Sequence, residues 1–229
     1  MIPKIIHYCR FGGKEKPASV RKCIDTWRKY CPDFEIKEWN ETNFDVNSTQ
    51  YTQDAYKIGN YAFVSDVARL KALTEEGGIY FDTDVEVVKD FSPLLENKAF
   101  LCFEGTQHIA TSTMGCEPHH PLFEEFYGLY AKEKLFKSDS TVNTDTNVVR
   151  LTKLLQNHGL LLNGQQQEIA GVTIYPYSYF SPYDYVDGRL RKTDDTYSIH
   201  WYSQSWLKIS SFRRFFSQLF HRLTGTKLK

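Results

Sequence analysis

What most constrains the fold of this chain is a helix that runs through a double glycine straight into an apolar strand. From Tyr61 to Glu76, Phe63, Val64, Val67, Ala68 and Leu70 fall at helical spacing, with Asn60 placed to cap the start and Gly77-Gly78 to stop the end. Ile79-Tyr80-Phe81 follows at once and leads into Asp82-Thr83-Asp84. Side chains two apart on an extended segment share a face, so Asp82 and Asp84 are expected side by side at the strand end. Two carboxylates so placed repel unless a cation neutralises them. A hard divalent metal bridging to phosphate oxygens meets that need. An isolated Asp-Xaa-Asp is ordinarily a solvated turn, so its meaning rests on context. Asp66 and Arg69 lie three apart on the preceding helix, a spacing that also fits a simple ion pair.

The rest of the chain supplies an α/β context. Lys4 to Tyr8 reads as a buried strand, Phe11-Gly12-Gly13 as a loop, Ser19 to Tyr30 as a helix ended by Pro32, and Phe34 to Trp39 as a second strand. A strand is expected at Ala99 to Phe103, and helices at about Leu122 to Lys132 and Thr146 to Asn157. Ligands of such sheets bind beyond the carboxyl ends of the strands. Neither GxGxxG nor GxxxxGK[ST] occurs, which removes the dinucleotide and Walker-type readings.

At 229 residues the chain can bury a full core. Its formal charge is zero, but Lys208, Arg213, Arg214, Arg222, Lys227 and Lys229 stand in an acid-free tail, leaving 22 bases against 28 acids in the body. In that tail Phe212, Phe215, Phe216, Leu219, Phe220 and Leu223 recur at helical spacing opposite the bases. The pattern fits an amphipathic helix over 206–229 that lies on an anionic membrane or docks on protein. Nucleic-acid binding is not expected, because this tail is the one basic stretch. Cys9, Cys23, Cys31, Cys102 and Cys116 show no CxxC or zinc spacing and read as buried thiols of a reducing compartment. The first residues are too short an apolar run for a signal peptide, and no run approaches membrane-spanning length. Cytoplasmic residence, peripheral on the inner face of the cell membrane if the tail binds lipid, is the expectation.

Several blocks in order resemble glycosyltransferase family 32, the capsular-polysaccharide and mannosyltransferase-like group with a DXD sugar-binding region, and more distantly the glucosyltransferase domains of clostridial toxins. The blocks are Ile2 to Tyr8 with Phe11-Gly12-Gly13, then Glu38-Trp39-Asn40, then Tyr61 to Leu70 with the Asp-Thr-Asp segment, and finally Ile199-His200 with Ser205-Trp206. The resemblance implies a GT-A type fold over 1–205, a Rossmann-like mixed sheet flanked by helices. It implies a nucleotide-sugar donor, a manganese or magnesium ion, and transfer of a hexose with retention. Asp66 and Arg69 would hold donor-sugar hydroxyls, and Tyr80 would support the donor site. Asp82 would meet ribose and the metal shell, Asp84 would be the main metal ligand, and His200 would complete coordination. Ser205 and Trp206 would lie against the diphosphate. The family usually has an aromatic residue before Phe-Gly-Gly, stacked on the base; here it is Arg10, whose guanidinium can also stack or meet a phosphate.

A metal acting as Lewis acid offsets charge gathering on a departing diphosphate, which gives the acid pair a chemical purpose. No residue declares itself as a carboxylate nucleophile, so attack without a covalent intermediate is expected. The acceptor would be a glycan or lipid-linked glycan, as in polysaccharide or lipid-linked oligosaccharide synthesis. Phe-Asp-Thr-Asp-Val also resembles the nucleophile motif of haloacid-dehalogenase-like phosphatases, with Asp82 attacking phosphate, although no later Gly-Asp-(Xaa)n-Asp motif follows. A catalytically silent sugar-nucleotide-binding module is a further alternative. Among other polar residues, His7 reads as a core histidine, His119 and His120 as loop residues facing solvent rather than acceptor, Asn143, Asp145 and Asn147 as a helix cap, and Glu86 as continuing the Asp82–Asp84 face or only pointing into water.

Overall fold

The computed structural model describes residues 1–139, 141–143 and 145–203. The expected tail helix, Ser205 and Trp206 lie outside these residues. In chain order the elements are β1 (Ile5–Cys9), α1 (Ala18–Tyr30), β2 (Glu35–Trp39), α2 (Gln50–Lys57), α3 (Tyr61–Glu76), β3 (Gly78–Phe81) and β4 (Val85–Val87). Then come β5 (Ala99–Glu104), β6 (His108–Ile109), β7 (Thr113–Cys116), α4 (Pro121–Gly128), α5 (Asn147–Asn157), β8 (Gln167–Ile169), β9 (Val172–Tyr175), β10 (Tyr183–Asp184), β11 (Arg189–Leu190) and β12 (Ser198–His200). The main sheet runs β2-β1-β3-β7-β5-β9-β8, with β6 paired to β5. β1 is parallel to both neighbours, whereas β7 is antiparallel to β3 and β5, so the sheet is mixed and flanked by helices.

Apolar residues cover both faces of the sheet, because each strand at its centre is buried on two sides. One core joins Val64, Val67, Leu70 and Leu73 of α3 to Tyr51, Phe123, Phe126 and Leu155. The other joins Val20, Ile24 and Trp27 of α1 to Phe81, Phe91, Phe100 and Phe180. In α1, Val20, Cys23, Ile24 and Trp27 follow the i, i+3, i+4, i+7 stripe of a helix with one buried face. α3 differs, since it buries residues around most of its girth, Asp66 and Arg69 included. Asn60 precedes it but makes no capping bond, while Gly77 ends it as expected, at φ 66° with its N–H on Leu73 O.

The junction after α3 is tight for a stated reason. A Cβ on Gly78, at φ 97°, would lie 2.7 Å from Ile5 O, so only glycine lets β3 lie this close to β1. His7 fills the space beside it, fully buried as a core histidine. Its Nε2 lies 2.8 Å from Gly77 O, and its Nδ1 lies 3.1 Å from Trp39 Nε1. A carbonyl only accepts and an indole N–H only donates, so Nε2 carries the proton and the ring is neutral. α4 is shorter than expected and ends in a single 3-10 turn, Leu129–Ala131. His120, expected in solvent, is buried at the start of α4, edge-on to Phe123. All five cysteines are buried free thiols.

Burial lowers the pKa of His7 from its ordinary 6.5, the Gly77 hydrogen bond opposing it only in part. As pH falls below 6.5 the unfolded chain takes up a proton that the folded chain refuses, so this site's contribution to stability declines in acid. His7→Gln is expected to cost about 1 kcal/mol at pH 8. Urea midpoints should show the gap between variant and wild type narrowing at pH 5, and a constant gap would show that His7 is not held neutral.

Candidate functional site

Asp82 and Asp84 converge, though not by strand alternation. β3 ends at Phe81, and Asp82-Thr83-Asp84 is a turn closed by Val85 N–H on Asp82 O at 3.0 Å. The turn is held at both ends. Asp82 N–H donates to Ser112 O at 2.8 Å, and β4 is moored to α1 by Trp27 Nε1–H on Val85 O and by Val87 N–H on Thr26 Oγ1. β4 also pairs with β12, and this pairing carries His200 to the acids from 116 positions away in sequence. One ligand atom each from Asp82, Asp84 and His200 lies within 4.8 Å of the others.

Asp84 is gripped from several sides. His200 Nε2 lies 3.3 Å from its Oδ1, Ser203 N–H donates to Oδ2 at 2.6 Å, and Trp201 N–H donates to its backbone oxygen. Burial alone would raise its carboxyl, but the hydrogen bond and charge of His200 and the Ser203 amide outweigh that and hold it well below the usual range. Burial likewise works to lower His200, yet Asp84 outweighs it and the imidazole is raised. Asp84 thus favours the charged form of the imidazole beside it. Two carboxylates and one imidazole suit manganese or magnesium, so the donor set fits the expected ion.

Asp82 faces the other way, toward α3. Tyr80 OH donates to its Oδ1 at 2.9 Å, and Arg69 Nη1 lies 3.3 Å from the same atom. Arg69 also meets Asp66 at 3.1 Å and donates to Thr111 O at 2.9 Å and Ser65 O at 3.2 Å, with its guanidinium over the Tyr80 ring at 4.5 Å. The expected pair is therefore an ion pair and also a bridge to the acid turn. Burial pushes the Asp66 carboxyl up to about 6 despite the Arg69 charge. Burial opposes the charge on Arg69, but Asp82, Tyr80 and Asp66 keep it protonated. Tyr80 is buried and meets the acid turn through its hydroxyl on Asp82.

Arg10 sits at the end of β1, one strand from Asp82, and its Nη2 donates to Lys14 O and Glu15 O. The guanidinium thus holds the loop that follows it. That loop walls an open cavity of about 330 Å³ lined by Arg10, Lys14, Lys16, Glu38, Asn40 and Glu41, among others. Three features were not anticipated. Glu86 is not simply hydrated: it accepts from Trp201 Nε1–H at 2.9 Å. Thr146, rather than its neighbours, caps α5, while Asn147 is buried, accepts from Tyr130 OH and donates to Asp66 O. Thr111 and Ser112 lend backbone oxygens to Arg69 and Asp82, roles that leave no mark in side-chain chemistry.

A family described as glycosyltransferase sugar-binding region containing DXD motif matches residues 17–101, which span α1 through the acid turn into β5. An uncharacterised glycosyltransferase of Acanthamoeba polyphaga mimivirus is 29% identical over 172 residues, covering 69% of this chain and 68% of that protein. A mannosyl phosphorylinositol ceramide synthase of Saccharomyces cerevisiae is 32% identical over 130 residues, covering 54% of this chain but only 34% of the yeast protein. The match thus spans about a third of that relative's length. Among solved structures, PaToxG glycosyltransferase superposes with a TM-score of 0.52 at 18% identity, covering 68% of each chain, which shows a shared fold. The chain is a glycosyltransferase with a DXD motif and a GT-A type fold. Among the described residues no helix is long and apolar enough to cross a membrane.

Arg69→Met is expected to destabilise by about 3 kcal/mol or more, because it strands two acids that share one cation. Asp66→Asn should cost less, since Arg69 keeps Asp82. Urea denaturation of both variants checks this, and equal losses would contradict the bridging role.

Proposed function

We propose that this chain moves a hexose from a UDP-sugar to a glycan or lipid-linked glycan, with manganese or magnesium held by Asp82, Asp84 and His200. The convergence of those three side chains at the carboxyl end of β3, next to the buried Asp66–Arg69 pair, carries the reading. A divalent ion bound there would act as Lewis acid toward the diphosphate. The remaining work falls to the chain itself. Asp66 and Arg69 orient the donor sugar, and Tyr80 with Arg69 keeps Asp82 aimed at the ion. Arg10 shapes the cavity for the base by fixing its loop. Ser205 and Trp206 meet the diphosphate.

The acceptor oxygen bonds to the anomeric carbon on the face from which the diphosphate oxygen departs. The electron pair of the broken bond leaves with the nucleoside diphosphate, which also takes the acceptor proton. No covalent sugar-enzyme intermediate forms, and configuration is retained. Asp82 does not serve as a phosphatase nucleophile in this reading, since its Oδ1 is already engaged by Tyr80 and Arg69. A lipid-borne acceptor is supported by the yeast relative, whose name specifies a ceramide product. The catalytic domain spans 1–205, and the basic segment 206–229, with its apolar residues at helical spacing, holds it to an anionic membrane on the cytoplasmic side.

Manganese-dependent hydrolysis of UDP-glucose, UDP-galactose or GDP-mannose without acceptor is the direct test, with a UDP-sugar expected to react fastest. Asp84→Ala should lower turnover by about a hundredfold or more, and near-normal turnover in the variant would rule the scheme out. Anomeric NMR of the transfer product decides retention, an inverted product removing that step. Full-length protein should bind phosphatidylserine vesicles, and deletion after Trp206 should abolish binding. Unchanged binding would remove the membrane role.

A further inference from the structure

The small hairpin β10–β11 is too short to be stable by itself and does not join the main sheet. It is nevertheless held firmly. Asp184 Oδ1 accepts from Val186 N–H at 2.9 Å, Gly188 N–H donates to Asp184 O at 2.7 Å, and Arg191 pairs with both Asp184 and Asp187. From this scaffold two runs of rings lead to the acid turn. Tyr183 packs on Trp201 with centroids 5.3 Å apart; Tyr185 packs on Tyr202 at 4.9 Å, and Tyr202 on His200 at 3.9 Å.

We propose that the hairpin β10–β11, with Trp201 and Tyr202, is the acceptor subsite, an aromatic platform for the apolar face of a pyranose, with Glu104 taking one of its hydroxyls. Tyr185 is 40% exposed, Leu190 44% and Trp201 37%, a concentration of large apolar surface beside a polar site. Stiff aromatic side chains offer wide contact at small entropic cost, and the Trp201 bond to Glu86 fixes its ring. Tyr202 adopts φ 48°, a left-handed conformation costly for tyrosine. Were closing the turn its whole task, glycine would do it without strain. The tyrosine ring lies on His200 instead.

Glu104 ends β5 and lies within electrostatic reach of the same groups. Its carboxyl feels the charges of His200, His108 and Asp82, and it in turn acts on Tyr185 and Tyr202. An ionised carboxylate offers only acceptors, which suits ligand hydroxyls. Sheet order separates the platform from the Arg10 cavity. β1 flanks β3 on one side, while β7 and β5 lie on the other, so the donor base and the platform occupy opposite flanks of the acid turn. One transferred sugar between them would touch both.

This inference rests on the transferase reading, and two measurements on the full-length protein keep the two apart. Saturation-transfer NMR with methyl β-glucopyranoside, methyl β-galactopyranoside and methyl α-mannopyranoside reads the platform; manganese-dependent UDP-sugar hydrolysis without acceptor reads the donor half. At least one hexoside should receive saturation from aromatic protons. Tyr185→Ala should weaken its binding about tenfold, Tyr185→Phe should preserve it, and Glu104→Gln should weaken it without altering the chain's thermal midpoint. In transfer assays Tyr185→Ala should raise the acceptor KM by a similar factor, while hydrolysis without acceptor falls far less. The platform is refuted if no hexoside binds the unaltered protein, if Tyr185→Ala binds it equally well, or if hydrolysis is lost in the same proportion as transfer. Hexoside binding that follows Tyr185 in a protein unable to hydrolyse any nucleotide sugar would uphold the platform and refute the transferase reading.

Discussion

A single buried guanidinium organises this molecule. Arg69 reaches Asp66 on its own helix, Asp82 on the acid turn, and the backbone of Thr111 on the approach to β7. A charge taken that far from water is costly unless its partners are close and well placed. The surrounding elements meet this condition together: α3 is pressed against the sheet by apolar residues on most sides, and β7 lies antiparallel to β3 so that Thr111 and Ser112 meet it. Shift any of the three and an unpaired charge is left in the interior. The acid turn is therefore held in place by a cost that all of its neighbours share.

On the opposite side of that turn the balance is reversed. Asp84 is fixed by His200 and the Ser203 amide, groups brought there by pairing of β4 with β12. Asp82 is paired with a permanent cation within the protein, whereas Asp84 is paired with an imidazole whose charge depends on pH. A divalent ion held by Asp84 and His200 would stand in place of the imidazole proton. The two acids of the motif are thus chemically different. One is tied to a buried guanidinium, and the other is held by an imidazole and a backbone amide.

Much of this was legible in the sequence. The strand, helix, strand opening, the extent of α3 and the Gly77 stop all follow from periodicity and local backbone chemistry, and the structure keeps them within a residue or so. His7 was legible because an imidazole inside an apolar strand has few options. Asp82 and Asp84 stand together as their spacing predicts, but a turn, not pleat alternation, brings them there. A turn of this kind has no signature in Asp-Thr-Asp beyond its polarity. His120 and Asn147 sit among proline and polar neighbours that signal a loop or cap, whereas Asn147 is buried against Tyr130 and Asp66, which are distant in sequence, and His120 is buried at the start of α4, edge-on to Phe123 three positions on.

The same reasoning separates what Arg10 does from what its position suggests. An aromatic residue there would offer a ring face and leave the following loop to find its own shape. A guanidinium that spends its N–H groups on Lys14 O and Glu15 O closes that loop on itself, so the cavity between Arg10 and Asn40 is shaped before any ligand arrives. Lys16 pairs with Glu38, which also accepts from Tyr8 OH at 2.5 Å, and the opposite wall is thereby tied to the sheet. Stacking area is exchanged for preorganisation, and preorganised sites lose less entropy on binding. With arginine at position 10 the cavity is walled by a loop tied to its own guanidinium.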